Sequence, residues 1–235
     1  MKVIFDILRR ETPDSEPYRQ VIEYEYTDAR ETVATALTHI NRLEGLSDSK
    51  GRPVTHIEWE CSCMQKRCGA CAMLVNGRPQ LACDSFLDVC SKNGCITLEP
   101  LSKFRCLRDL VVDRSALRES LKKMKAWAGK EGTTAEKKLD DVYDASKCLQ
   151  CGCCLEVCPN YVPGESFAGA AGFVAGYRSA AALKKEDRQE RKAAYNEHVY
   201  KDCAKSLSCK DICPAKIDTD RILSRSNALL IWNRK

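Results

Sequence analysis

Residues 148–159 read CLQCGCCLEVCP, a run in which the spacing C-x2-C-x2-C-x3-C is followed by proline. Cysteines two residues apart can converge on one centre when a tight loop turns their side chains inward. This spacing is typical of chains that wrap an iron–sulfur cluster. The cysteine before the proline is a special case, because in two-cluster proteins it binds the other cluster. The run therefore predicts a second, similar run elsewhere in the chain.

That second run lies at residues 203–214, which read CAKSLSCKDICP. When the two runs are aligned on their Cys-Pro endings, Ser206 stands in the position of Cys151, so the repeat lacks one thiolate. A cluster that lacks one protein ligand tends to lose the iron at that corner, which predicts a 3Fe–4S cluster. Ser206 as an alkoxide ligand is an alternative that the weak acidity of a serine hydroxyl disfavours. Cross-ligation predicts Cys148, Cys151, Cys154 and Cys213 as 4Fe–4S ligands, and Cys158, Cys203 and Cys209 as 3Fe–4S ligands.

A different cysteine pattern occupies the first half of the chain. Cys63-x4-Cys68-x2-Cys71 is the spacing of plant-type 2Fe–2S proteins, which need a later fourth cysteine. Cys83 is the predicted fourth ligand, because it directly follows a hairpin that returns towards the loop. The alternatives are Cys61 for the first position, and Cys90 or Cys95 for the fourth. A four-cysteine zinc site is less favoured, since zinc sites usually show two separated C-x2-C pairs and this region has one.

The elements around that pattern predict a β-grasp domain, the fold of plant-type ferredoxins. Apolar residues recur at helical spacing between Thr32 and Glu44, and Asn76-Gly77 is a strong hairpin signal. The remaining short apolar runs predict strands at Lys2–Leu8, Arg19–Tyr26, Val54–Glu60, Ala72–Val75, Gln80–Ala82 and Ile96–Leu98.

The second half has a helical pattern. An apolar stripe predicts one helix over Leu107–Trp127, and Gly129–Thr134 reads as a polar linker. Phe167–Leu183 is rich in glycine and alanine, which predicts a helix packed closely against a cluster or partner, or an ordinary core helix. Asp220–Trp232 predicts a final helix. We therefore expect an α+β protein, with a plant-type ferredoxin domain at residues 1–105 and an all-helical, bacterial-ferredoxin-like domain at residues 106–235.

Composition restricts the class of protein further. The chain has 235 residues and 16 cysteines, without a signal peptide or a membrane-spanning apolar run. We therefore expect a cytoplasmic protein, in which reduced cysteines bind metal rather than form disulfides. The net charge of +5 is spread along the chain. No basic stripe with interleaved aromatic residues occurs, so no nucleic-acid partner is expected.

Three cluster motifs in this order resemble the iron–sulfur subunit of the succinate dehydrogenase/fumarate reductase family. Trp59-Glu60-Cys61-x-Cys63 and Phe167–Ala171 resemble the menaquinone-linked branch more than the ubiquinone-linked one. The second run has Ala204 where ubiquinone-type members have histidine, so no quinone-site residues are transferred. The motifs that carry the resemblance are Cys68-Gly69-Ala70-Cys71, Asn76-Gly77, RDLVVD at 108–113, Gly169-Ala170-Ala171-Gly172 and the two runs at 148–159 and 203–214.

The resemblance implies an electron relay without bond chemistry or catalytic residues of its own. Its implied partners are an FAD-containing flavoprotein subunit and a membrane anchor, either a cytochrome b or a quinone-binding subunit. The chain would then lie peripherally on the inner face of the cell membrane and serve succinate oxidation in the tricarboxylic acid cycle or fumarate reduction in anaerobic respiration. The alternatives are the iron–sulfur subunit of a soluble fumarate reductase or other flavoenzyme complex, and a non-respiratory protein with structural or sensing clusters. Cys61, Cys90, Cys95, Cys106 and Cys153 are expected to be small buried hydrophobic residues.

Overall fold

A computed structural model describes residues 1–127 and 139–232. The chain divides into two compact units, Met1–Asp113 and Arg114–Lys235, here called the N-terminal and C-terminal units. This division lies further along the chain than the domain boundary predicted after residue 105. The predicted linker at Gly129–Thr134 lies outside the described residues.

A five-stranded mixed sheet forms the centre of the N-terminal unit. Its strand order is β2-β1-β5-β3-β4, in which β1 and β5 are parallel and the other neighbours are antiparallel. Alternate residues of β1, among them Phe5 and Ile7, are fully buried, and so is Leu37 of helix α1. Mixed sheet and crossing helix confirm the predicted β-grasp domain. The elements are β1 Lys2–Arg9, β2 Tyr18–Glu25, α1 Val33–Ile40, β3 Ala72–Val75, β4 Arg78–Leu81, α2 Leu87–Cys90 and β5 Cys95–Glu99.

The predicted hairpin at Asn76-Gly77 joins β3 to β4. Both turn residues have positive φ, +52° and +72°, as a two-residue type I′ turn requires. The Asn76 side chain also donates to the Cys90 carbonyl and accepts from the backbone N–H of Thr97. The turn is therefore tied to the neighbouring strand β5.

The predicted strand at Val54–Glu60 is wrong. The segment is extended, but side chains rather than a neighbouring strand satisfy its backbone. The Asn41 amide pairs with the N–H and C=O of Ile57 at 2.8 and 2.9 Å. Asp109 accepts from the N–H of Glu58.

The predicted helix over Leu107–Trp127 is wrong in its first part. Residues Cys106–Arg108 and Val111–Val112 form a small antiparallel pair, β6 and β7, with Asp109 between them at φ +44°. Helix α3 begins only at Ser115. Asp109 is held in this left-handed conformation by its buried ion pair with Arg9, at 2.9 Å, so tertiary contacts override the helical pattern.

Helices make up the C-terminal unit. Helix α6 packs against α3, α4, α5 and α9. Every regular element described between residues 114 and 232 is helical, which confirms the predicted helical domain, and within the described ranges no helix is long and apolar enough to cross a membrane. The helices are α3 Ser115–Lys123, α4 Leu139–Ser146, α5 Cys153–Glu156, α6 Gly169–Ala181, α7 Gln189–Tyr195, α8 Ser208–Ile212 and α9 Thr219–Leu230, with a π-helical turn at Asn196–Tyr200.

Glycines allow α6 to approach its neighbours closely. A Cβ atom at Gly176 would lie 2.8 Å from Cε of Met124, and one at Gly172 would lie 3.2 Å from its Cγ. Gly169 has φ +65°, and a Cβ there would overlap the Leu155 side chain. Of the two expectations for this segment, the printed contacts fit a close-packed core helix that also touches α5.

Candidate metal centres

The loop between Cys61 and β3 carries the first group of cysteines. Cys71 and Cys83 face each other with Sγ atoms 3.4 Å apart, a separation at which both sulfurs can bind one metal atom. The loop end is fixed to the start of the turn after β4 by a 3.0 Å hydrogen bond from the N–H of Ala82 to the Cys71 carbonyl. The hairpin therefore brings Cys83 back to the loop, as the sequence predicts.

Backbone amides converge on Cys63 in the same loop. The N–H groups of Gln65 and Arg67 donate to its Sγ at 3.4 and 3.2 Å, and they lower the pKa of Cys63 to about 7. Cys68 also donates to this sulfur. The N–H of Lys66 donates to Cys83 at 3.3 Å. The four predicted 2Fe–2S ligands thus form two pairs, Cys63 with Cys68 and Cys71 with Cys83, in a loop whose amides point at sulfur.

The alternative ligands occupy other positions. Cys61 is exposed, so the expectation that it is a small buried residue is wrong. Cys90 is buried at the end of α2, where Gln80 contacts its sulfur at 3.9 Å, and Cys95 begins β5. Of these candidates for the fourth position, the contact with Cys71 favours Cys83.

Two recesses form in the C-terminal unit around the second group of cysteines. The first, here called the four-cysteine recess, lies between the loop before α5, the start of α6 and the segment after α8. Its walls also include Leu149, Ala171 and Ile217, so they are mostly apolar. Its four cysteines are Cys148, Cys151, Cys154 and Cys213, the predicted 4Fe–4S set.

The second recess, here called the three-cysteine recess, lies between the ends of α5 and α8 and the start of α9. It is lined by Cys158, Cys203 and Cys209, the predicted 3Fe–4S set. Ser206 is a fourth wall residue, as the alignment of the runs predicts. Phe167 and Phe173 complete an apolar wall.

Burial decides the electrostatics of both recesses. It raises the pKa of the thiols of Cys148, Cys203, Cys209 and Cys213, and it raises that of Cys154 well above the ordinary value. These cysteines are neutral in the absence of iron. A bound metal deprotonates its thiol ligands outright, so the same apolar walls suit sulfur that is neutralised by iron.

Cys151 differs from the other cysteines of its recess. A hydrogen bond from the Cys153 thiol, together with backbone N–H groups and the nearby Arg114 guanidinium, lowers the pKa of Cys151 to about 7. Arg114 also donates to the Cys151 carbonyl at 2.7 Å. Cys153 is fully buried but does not line the recess, so it acts through its neighbour. The sequence offers no spacing that connects Arg114 with the run at 148–159, and for that reason the motif analysis missed it.

The donor sets fit iron–sulfur clusters. Nowhere in residues 1–127 and 139–232 do three His, Cys, Asp or Glu side chains converge closely enough to hold a single metal ion. A multi-iron cluster makes another demand, because its thiolates bind different irons and are spread around a recess. Both recesses have that arrangement, with cysteines as the ligand type that such clusters use.

Comparison with known proteins agrees with these donor sets. Residues 4–119 match the family model of a 2Fe-2S iron-sulfur cluster binding domain, and residues 144–217 match that of a 4Fe-4S dicluster domain. The succinate dehydrogenase iron-sulfur subunit of Bacillus subtilis is 36% identical over 225 residues, which cover 91% of this chain and 86% of that protein. The chain belongs to the family of succinate dehydrogenase and fumarate reductase iron–sulfur subunits.

Further relatives of this iron–sulfur subunit support the assignment. The fumarate reductase iron-sulfur subunit of Wolinella succinogenes is 30% identical over 176 residues, covering 68% of this chain and 72% of that protein. A chain of the Mycobacterium smegmatis Sdh1 complex in the apo form superposes with a TM-score of 0.75 at 20% identity, covering 97% of this chain and 96% of that one, which shows the shared fold.

The family membership answers the question of function at the level of class. The protein is an electron-transfer iron–sulfur subunit of an oxidoreductase of the succinate dehydrogenase/fumarate reductase type. It decides against the zinc-binding and sensing alternatives, because both matched domains are cluster-binding domains of an electron-transfer subunit.

Proposed function

We propose that this chain carries electrons between an FAD-containing flavoprotein subunit and a quinone- or haem-binding membrane anchor, during succinate oxidation or fumarate reduction. The clusters supply one-electron carriers, in the order 2Fe–2S, 4Fe–4S and 3Fe–4S from the flavin side. The protein would lie on the inner face of the cell membrane, attached through the anchor. Residues 1–105 would form the 2Fe–2S domain and residues 106–235 the domain of the other two clusters.

One observation carries the proposal. The C-terminal unit has two separate recesses, and each is lined by one complete ligand set from the cross-ligation rule: Cys148, Cys151, Cys154 and Cys213 in the first, Cys158, Cys203 and Cys209 in the second. Had the four cysteines of each run gathered around one recess, the sets would have been mixed. The two recesses therefore support separate 4Fe–4S and 3Fe–4S clusters.

The chain itself brings the two recesses close together. Helix α5 carries Cys154 on one recess, and Cys158, one helical turn later, lines the other. Helix α8 repeats this arrangement in the opposite sense with Cys209 and Cys213. The α5 and α8 helices pack against each other, so both recesses share a wall through which an electron has a short path.

Electron paramagnetic resonance on the purified complex tests the proposal. We expect a three-iron signal in the oxidised sample, and 2Fe–2S and 4Fe–4S signals after reduction, with iron rather than zinc in metal analysis. The two-iron signal depends on the N-terminal loop, so Cys83→Ser should change it and Cys90→Ser should not. An oxidised sample without a three-iron signal would contradict the assignment of the three-cysteine recess.

A further inference from the structure

A buried hydroxyl lies beside one of the proposed ligands of the three-cysteine recess. Thr219, the first residue of α9, is 3% exposed and lines this recess. Its Oγ1 lies 3.4 Å from Sγ of Cys209, within hydrogen-bonding reach of a sulfur atom. Neither run of cysteines includes Thr219.

The surroundings of Thr219 fix its side chain in that position. Asp218 caps α9 by accepting from the N–H of Arg221 at 3.2 Å, and the N–H of Thr219 itself donates to the Ile217 carbonyl at 2.9 Å. Lys210, the residue after Cys209, forms an ion pair with Asp218 at 3.2 Å. The start of α9 is thus tied directly to the helix that carries Cys209.

We propose that Thr219 donates a hydrogen bond to the Cys209 sulfur and thereby raises the reduction potential of the cluster in the three-cysteine recess. This inference rests on the proposed function, since it takes Cys209 as an iron ligand. A metal-bound sulfur has no proton, so the hydroxyl must be the donor. A hydrogen bond to a ligand sulfur stabilises the reduced cluster more than the oxidised one, because reduction adds negative charge, and such bonds tune cluster potentials.

The contact sets a direction for electron flow within the chain. The four-cysteine recess has no counterpart of Thr219 among the residues that line it, where the apolar side chains Ala171 and Ile217 lie instead. A raised potential in the three-cysteine recess makes that cluster the favoured electron acceptor of the pair. Thr219 is therefore a positioning residue that acts on potential through Cys209.

Redox titration of the complex, followed by paramagnetic resonance, tests the inference with Thr219→Val. This variant keeps the shape of the side chain and removes the hydroxyl. At a fixed ambient potential we expect the ratio of reduced to oxidised three-iron cluster to fall by about threefold to tenfold, where tenfold equals about 59 mV for a one-electron couple. Thr219→Ser keeps the hydroxyl and should stay close to the original protein. Pulsed resonance in D2O should show an exchangeable deuteron that Thr219→Val lacks.

Controls separate this inference from the proposed function. Ser226→Ala removes another buried hydroxyl of α9, which donates to the Ile222 carbonyl at 2.8 Å, and should leave the potential unchanged. Equal potentials in Thr219→Val and the original protein would overturn the inference, as would an equal shift in Ser226→Ala. If Thr219→Val did not assemble the cluster, Thr219→Ala with an unchanged potential would overturn it equally. Absence of the three-iron signal from the unmodified complex would instead refute the proposed cluster assignment itself.

Discussion

Replacing Asp109 by alanine should destabilise the N-terminal unit by about 3–5 kcal/mol, because it leaves a buried guanidinium without its counter-ion. The side chains of Asp109 and Arg9 are each 2% exposed, and Nε of Arg9 lies 2.9 Å from Oδ1. Oδ1 also accepts from the N–H of Arg10 at 3.0 Å, and Oδ2 accepts from the N–H of Glu58 at 2.9 Å. One carboxylate therefore joins β1, the β6–β7 turn and the segment that leads to the Cys61–Cys71 loop.

The magnitude follows from what remains after the substitution. Arg9 keeps its bonds to Gln20 at 2.7 Å and to the His56 carbonyl at 2.9 Å, but those partners are neutral. Two backbone N–H groups lose their acceptor as well, and each buried unpaired donor costs about 1–3 kcal/mol. These costs overlap, because the local structure relaxes around one lesion, so the sum stays near the upper end of the value for a broken buried pair.

Hydrogen exchange of the full chain, read peptide by peptide, measures the loss. A cost of about 3–5 kcal/mol should speed exchange of the β1 and β5 amides by about a hundredfold to a few thousandfold, since about 1.4 kcal/mol corresponds to tenfold. Peptides of α6 and α9 provide an internal reference in the C-terminal unit. Arg9→Met combined with Asp109→Leu removes both charges and should be less damaging than Asp109→Ala alone. Exchange of β1 within threefold of the original protein in Asp109→Ala would refute the reasoning.

Two further substitutions test the C-terminal unit. Ser206→Cys supplies the missing thiolate of the three-cysteine recess and should convert most of its cluster to four irons, with loss of the oxidised three-iron signal and a lower potential; Ser208→Cys, outside the recess, should not. An unchanged spectrum in Ser206→Cys would show that the cross-ligation register is wrong. Gly169→Ala should cost about 2–4 kcal/mol in hydrogen exchange of α6, through its φ of +65° and its overlap with Leu155. Gly164→Ala, at φ +90° in open space, carries backbone strain alone, and an equal cost in both variants would contradict the packing argument.

The sequence predicts best where the chemistry is periodic in the chain. The Asn76-Gly77 turn and the two cysteine runs have short fixed spacings, so local rules predict both the hairpin and the membership of each recess. The cross-ligation of Cys158 and Cys213 depends on the repeat of one run by the other. A single run does not contain that information.

Predictions fail where distant side chains replace local partners. Residues 54–60 have an alternating pattern typical of a strand, but Asn41 and Asp109 take up its backbone groups. Residues 107–114 have a helical pattern, but the ion pair of Asp109 with Arg9 forces a turn there. Thr219 and Arg114 escape motif analysis for a related reason, since each meets its cysteine only after the helices have packed.

The short helices α5 and α8 act as spacers of fixed pitch. Each turns the chain by about 100° per residue, so one inserted residue would rotate the following thiol away from its recess. Because each helix serves both recesses, such an insertion would damage two metal centres at once. Changes of length between Cys151 and Cys158, or between Cys203 and Cys213, should therefore be far less tolerated than changes in the loop that links the two runs. Neither centre of this protein can be redesigned, transplanted or deleted without rebuilding the other.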